Sequence, residues 1–115
     1  MFKAVILLTR REDMTHDAFV DWWLHEHAPL ASSLPHLRKL LFNVVDTGHA
    51  EAGIDGISEL WFDSQADFEA AYATDIGRAT AADSLAHVSG RVRLFVTENE
   101  LVGSEVGGDA GPAGA

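Results

Sequence analysis

The chain of 115 residues carries 18 acidic and 8 basic residues, a formal charge of −10, with 47% hydrophobic residues and no cysteine. Its length fits one domain, and its apolar content fits a packed core rather than a disordered chain. The acidic surplus argues against nucleic acid and anionic membranes as partners, and the lack of thiols excludes disulfides, thiolate nucleophiles and zinc–sulfur sites.

No apolar run approaches the roughly 20 residues of a membrane helix. Met1–Phe2–Lys3 leads directly into strand-like sequence without signal-peptide anatomy, so cytoplasmic residence is the expectation. Phe2 to Thr9 (FKAVILLT) is a short apolar run ending in Arg10–Arg11, the pattern of a buried strand. Thr15 is placed to cap a helix, with Asp17 in its first turn. Along that helix (THDAFVDWWLHEHAPL) Phe19, Trp23 and Leu30 share one face, flanked by Trp22, Glu26 and His27, with His25 well round from it. Pro29 lacks a backbone donor and predicts a kink or break, then another turn through Ser33.

Leu34–Pro35 opens a turn into a second strand over 37–46 (LRKLLFNVVD), and 48–56 (GHAEAGIDG) reads as a loop. Residues 57–63 (ISELWFD) read as a third strand. Asp63–Ser64 then caps a second helical region with Phe68, Ala71 and Tyr72 at helical spacing, divided near Gly77 and ending near His87. Residues 91–98 (RVRLFVTE) make a fourth strand. The domain spans 1–102, and 103–115, dominated by glycine and alanine, is expected to be a mobile tail.

This order, β-α-β-β-α-β, predicts an α+β, ferredoxin-like fold: a four-stranded antiparallel sheet with both helices on one face. Apolar side chains alternate onto both sides of the strands. The uncovered face is therefore expected to bury itself against a second copy, giving a homodimeric α/β barrel.

The stretch AFVDWWLHEHAPLASSLPHLRKLLFNVV, with ISELWFD and GRATAAD, resembles the EthD family over roughly residues 2–102. The likeness centres on W-x-x-x-H-x-P, here Trp23, His27 and Pro29, a leucine–proline turn, and E-L-W-F in strand three. It implies a dimeric ferredoxin-like barrel with an internal pocket; relatives of that barrel include lactone isomerases, polyketide cyclases or dehydratases, and cofactor-free monooxygenases. Related sequences often carry a tyrosine early in strand two. Leu40 stands there in this chain, and Phe42 occupies a neighbouring position that is often polar, which implies a more apolar pocket and no strand-two phenol.

His27 is the leading catalytic candidate, because an imidazole beside the Pro29 break can move protons near neutral pH. It can equally be a buried histidine bonded to a carbonyl that Pro29 leaves free. Glu59 interrupts an apolar strand, where a carboxylate needs a partner; it could orient His27, act as acid or base itself, or pair across the sheet with Arg38, Arg91 or Arg93. Trp22, Trp23, Phe42 and Trp61 could wall a pocket or simply fill the core. Asn43 could hold a ligand carbonyl or be a polar residue on the face of strand two opposite Leu40 and Phe42. His87 could cap its helix or approach the pocket mouth. His25 and His27 diverge on a helix, and with His36 and His49 in turns no metal motif forms. No glycine-rich phosphate loop precedes a helix. The expectation is a cofactor-independent enzyme without a metal, in which His27, assisted by Glu59, transfers protons on a small hydrophobic aromatic or lactone-like metabolite in an isomerisation, dehydration or cyclisation. The alternatives are a non-catalytic binding or accessory protein of a degradative oxygenase system, and a cofactor-free monooxygenase.

Overall fold

A computed structural model describes residues 1–48 and 53–103. His49 and residues 104–115 of the expected tail lie outside the described residues. The strands are β1 (Phe2–Arg10), β2 (Lys39–Val44), β3 (Gly56–Phe62) and β4 (Val88–Val96). They form one sheet in the order β2-β3-β1-β4, every neighbouring pair antiparallel. This is the expected ferredoxin-like α+β arrangement, and the first and last strands lie side by side because each helical excursion returns the chain to the same sheet.

The helices are α1 (His16–Trp22), a π-helical turn over Trp23–His27, α2 (Ala28–Ser32), α3 (Gln65–Tyr72) and α4 (Asp75–His87). Thr15, Ser64 and Thr74 cap α1, α3 and α4, accepting hydrogen bonds from the backbone N–H groups of Ala18, Asp67 and Gly77. Of the kink or break expected at Pro29, the break does not occur, and the further turn follows as α2. The backbone stays right-handed, and the N–H of Ala28 donates to the carbonyl of Trp23, five residues back. A five-residue turn accommodates the missing proline donor without unwinding the chain. Its extra residue also moves the buried position one step along: Ala31 is buried where Leu30 was expected, and Glu26 is exposed.

Strand alternation sorts the side chains. Ala4 and Leu8 of β1, with Leu60 and Phe62 of β3, face the helices and anchor two contiguous clusters. One gathers Leu34, Phe68 and Ala71; the other gathers Phe19, Trp22 and Trp23. Asp55 pins the strand ends together. Its buried carboxylate accepts from the Arg10 backbone N–H at 2.9 Å and lies 2.7 Å from His16 Nδ1, while its own N–H donates to Leu8 O.

The division of the second helical region falls at residues 73–74, ahead of Gly77 rather than at it. Gly77 serves the close packing of α4 against the end of α3: a Cβ there would lie 2.2 Å from Ala71 O and 2.5 Å from Tyr72 Cα. Backbone atoms on both sides cannot yield cheaply. Gly77→Ala is therefore expected to destabilise the fold by about 2–3 kcal/mol in chemical denaturation. Gly53→Ala, with nothing within 4 Å of the added Cβ, serves as a control and should change stability by less than about 0.5 kcal/mol.

Candidate active site

The π turn carries His27 inward, and α4 supplies its partner. His27 is buried, and its Nδ1 lies 2.8 Å from Asp83 Oδ2. The same carboxylate accepts from Trp22 Nε1 at 3.4 Å. His87, one helical turn beyond, bonds through Nδ1 to the Asp83 carbonyl and stacks on Trp22 with ring centroids 4.2 Å apart. Asp83 thus ties the first helix to the last, and with the proton on Nδ1 directed at the carboxylate, Nε2 is the ring atom left for chemistry. Burial pulls the His27 pKa below the ordinary histidine value of 6.5, against the opposing pull of Asp83, with nearby His87 lowering it further. The ring is therefore neutral at pH 7.

His27 lines a cavity of about 30 Å³ between the helices and the sheet, with Trp23, Phe42, Ser58, Tyr72 and Ser84 among its walls. The Trp23 and Phe42 rings stack at 4.3 Å and 5°. The indole N–H of Trp23 is buried with no hydrogen-bond partner among the described residues. Burial also raises the pKa of the Tyr72 phenol, with Arg91 and Arg93 pulling the other way. A cavity this size takes one or two water-sized groups. An adjoining groove of about 390 Å³ shares Ile6, Tyr72, Ala81 and Arg91 with the cavity.

Of the residues singled out in the sequence, the structure groups His27, Trp22, Trp23, Phe42 and His87 in this region. Glu59, Trp61 and Asn43 lie elsewhere. The alternation that turns Ser58 and Leu60 toward the helices sends Glu59 to the opposite face, so it does not reach His27. There it pairs with Lys3 at 2.8 Å and accepts from Asn43 Nδ2 at 2.9 Å, rather than meeting any of the three expected arginines. The Lys3 hydrogen bond holds the Glu59 pKa below the usual carboxylate value. Trp61 shares that face, where its indole N–H donates to Glu98 at 2.7 Å and Lys3 sits over its ring. Asn43 also donates to Ile57 O, as a residue on the face opposite Phe42.

Asp83, Tyr72, Ser84 and Arg91 were missed. Thr80, Asp83, Ser84 and His87 recur at helical spacing, a polar stripe on a helix whose Leu85 is exposed and whose Ile76 is only half-buried. That inversion of the usual pattern was the available signal. Among the described residues no group of three or more His, Cys, Asp or Glu is arranged to hold a metal ion, and no helix is long and apolar enough to cross a membrane.

The model of the EthD domain matches residues 11–89. An uncharacterized 11.0 kDa protein of the thcB-thcC intergenic region of Rhodococcus erythropolis is 26% identical over 104 residues, covering 89% of this chain and 98% of that one. Among solved structures, an EthD family protein from Bacillus halodurans superposes with a TM-score of 0.73 at 22% identity, over 86% of this chain and 100% of that one. A dimeric ferredoxin-like protein of unknown function from Thermobifida fusca gives 0.69 at 21%, over 84% and 90%. The hydroxynitrile lyase of Passiflora edulis gives 0.70 at 15%, over 89% and 96%, a likeness of fold. The family match takes in the aromatic first helix, the π turn, β2, β3 and α4 with Asp83, and the chain belongs to the EthD family.

Proposed function

We propose that this protein is an enzyme that moves a proton on a small, largely apolar ligand seated between the helices and the sheet. The observation that carries this reading is a buried imidazole whose Nδ1 is held by Asp83 and whose ring borders a cavity, with burial lowering its pKa. Nε2 would take a proton from a carbon beside a carbonyl, and Asp83 would stabilise the imidazolium so formed. The proton would then return to a different carbon in an isomerisation, pass to the alkoxide oxygen formed when the enolate carbon closes on a second carbonyl of the ligand in a cyclisation, or leave with a departing hydroxyl as water in a dehydration. All three share the first step, for which a base with a pKa near or below neutrality is suited. Glu59 has no place in this scheme, and Asp83 takes the orienting role first assigned to it. That a protein of this fold is named a lyase supports reading the framework as one that can house such chemistry.

We propose in addition that two copies of the chain pair through the sheet. Leu41, Val92, Leu94 and Val96 stand exposed on the sheet face away from the helices. An apolar face of this kind is costly in water, and a similar structure is described as dimeric. Light scattering should give about twice the 12.4 kDa chain mass. A monomer that stays folded at micromolar concentration would remove the barrel.

The base role is tested by His27→Gln, on a substrate found by screening small aromatic lactones and diketones. The fold should persist while turnover falls by about 10² to 10⁴. His25→Gln, altering a solvent-exposed ring, should leave both unchanged. A purely structural His27 would instead show a stability loss of about 1–3 kcal/mol with a rate that follows the fold, and the accessory-protein reading would then stand ahead.

The protonation of His27 provides a separate check. Because its folded pKa lies below the unfolded value, the unfolded chain binds more protons as pH falls through the histidine range. Stability should therefore decline through this group as pH drops below about 6.5, and His27→Gln should flatten that slope. In Asp83→Asn the ring loses the neighbour that favours its proton. Its NMR titration should then move to lower pH than in the wild type, and an upward shift would contradict the assigned hydrogen bond.

A further inference from the structure

Four of the six arginines have a carboxylate within ion-pair distance: Arg10 with Asp55, Arg11 with Asp13, Arg38 with Asp63 and Arg78 with Asp75. Arg91 and Arg93 have none among the described residues, although the chain carries 18 acidic side chains. They occupy alternate positions of β4, opposite Leu8 and Ile6, on the sheet face that looks toward the helices. Apart from Ser58, the side chains flanking them on that face are apolar, so two cations there are out of pattern. Both line the groove of about 390 Å³ beside the His27 cavity, whose remaining wall includes Ile6, Tyr72, Ala81 and Leu85. Arg93 also lies over the rings of Phe68 and Phe95, at 5.4 and 5.1 Å. Those contacts hold the guanidinium in place without neutralising it.

From this arrangement we infer that the ligand is a small hydrophobic carboxylate, its acid group bound by Arg91 and Arg93 in the groove and its reactive end reaching past Tyr72 toward His27. The inference rests on the reading of the His27 cavity as the ligand site and narrows its substrate class. The groove has the volume of a small-ligand site, whereas the inner cavity holds only the reacting group. A guanidinium pair matches the two oxygens of a carboxylate. The flanking apolar wall selects a ligand with a hydrophobic body. In a protein of net charge −10, leaving two adjacent arginines without acidic partners keeps a local attraction for an anion that the rest of the surface repels.

The test uses equilibrium binding of three acid and amide pairs to the full chain: benzoate and benzamide, phenylacetate and phenylacetamide, cinnamate and cinnamamide. Calorimetry measures affinity, and the Trp22 and Trp23 indole N–H signals report occupancy. Each acid should bind about tenfold or more tightly than its amide, with the preference eroding as sodium chloride rises. In Arg91→Met/Arg93→Met the acids should fall to the level of the amides while the amides are unaffected. Arg91→Lys/Arg93→Lys should keep part of the preference and guards against a folding defect in the methionine variant. Equal binding of acid and amide by the wild type, no binding of either at millimolar concentration, or a preference that survives the methionine variant would each overturn the inference. His27→Gln separates the two readings: it should keep the acid preference whether or not it slows turnover.

Discussion

The first helix is seated by the indole of Trp23 lying against the bare backbone of Gly56. A Cβ at residue 56 would come within 2.6 Å of two Trp23 ring atoms, so the strand offers no side chain where the indole must rest. The other side of the contact is Phe42, stacked on the same indole. Trp23 is wholly buried there, and burial of an aromatic of this size is worth on the order of 2–3 kcal/mol. With Trp23 seated, the π turn that begins at this residue has one orientation. His27, four residues on, is then carried toward α4 and not toward solvent.

Two polar networks occupy opposite faces of one sheet. On the helix side Asp83 gathers Trp22 and His27 beside His87 in a region of low water access. On the other side Glu59 and Glu98 gather Lys3, Asn43 and Trp61. The second network satisfies its charges locally, and for Lys3 the attraction of the two carboxylates outweighs burial and raises the pKa. The first leaves a neutral imidazole beside a cavity. Burial without full compensation makes a base, whereas compensated charge makes a structural bridge.

The fold was legible in the chain because its signals are local. Alternation in FKAVILLT and ISELWFD, and the caps at Thr15 and Ser64, follow from neighbouring residues alone, and strand boundaries shifted by only a few positions. The effect of Pro29 was not legible. Whether a missing donor breaks a helix or is absorbed by a π turn depends on what the flanking turns pack against, and here α2 is held by Ala31 and Leu34, both buried.

The site divides in the same way. The sequence by itself determined that an imidazole would sit in an aromatic setting at the end of the first helix, because Phe19 and Trp23 share a helical face that Trp22 and His27 flank. Only the tertiary structure decided its partner. Glu59 and Asp83 are both acidic residues in otherwise apolar or small-residue surroundings, and the polar stripe that marks Asp83 does not say which side chain it will meet. The two-residue period of β3 turns Glu59 away, while the path of α4 across the sheet brings Asp83 to 2.8 Å from a ring 56 positions earlier in the chain. Contacts at such separation are set by how layers stack, a property that local pattern cannot express.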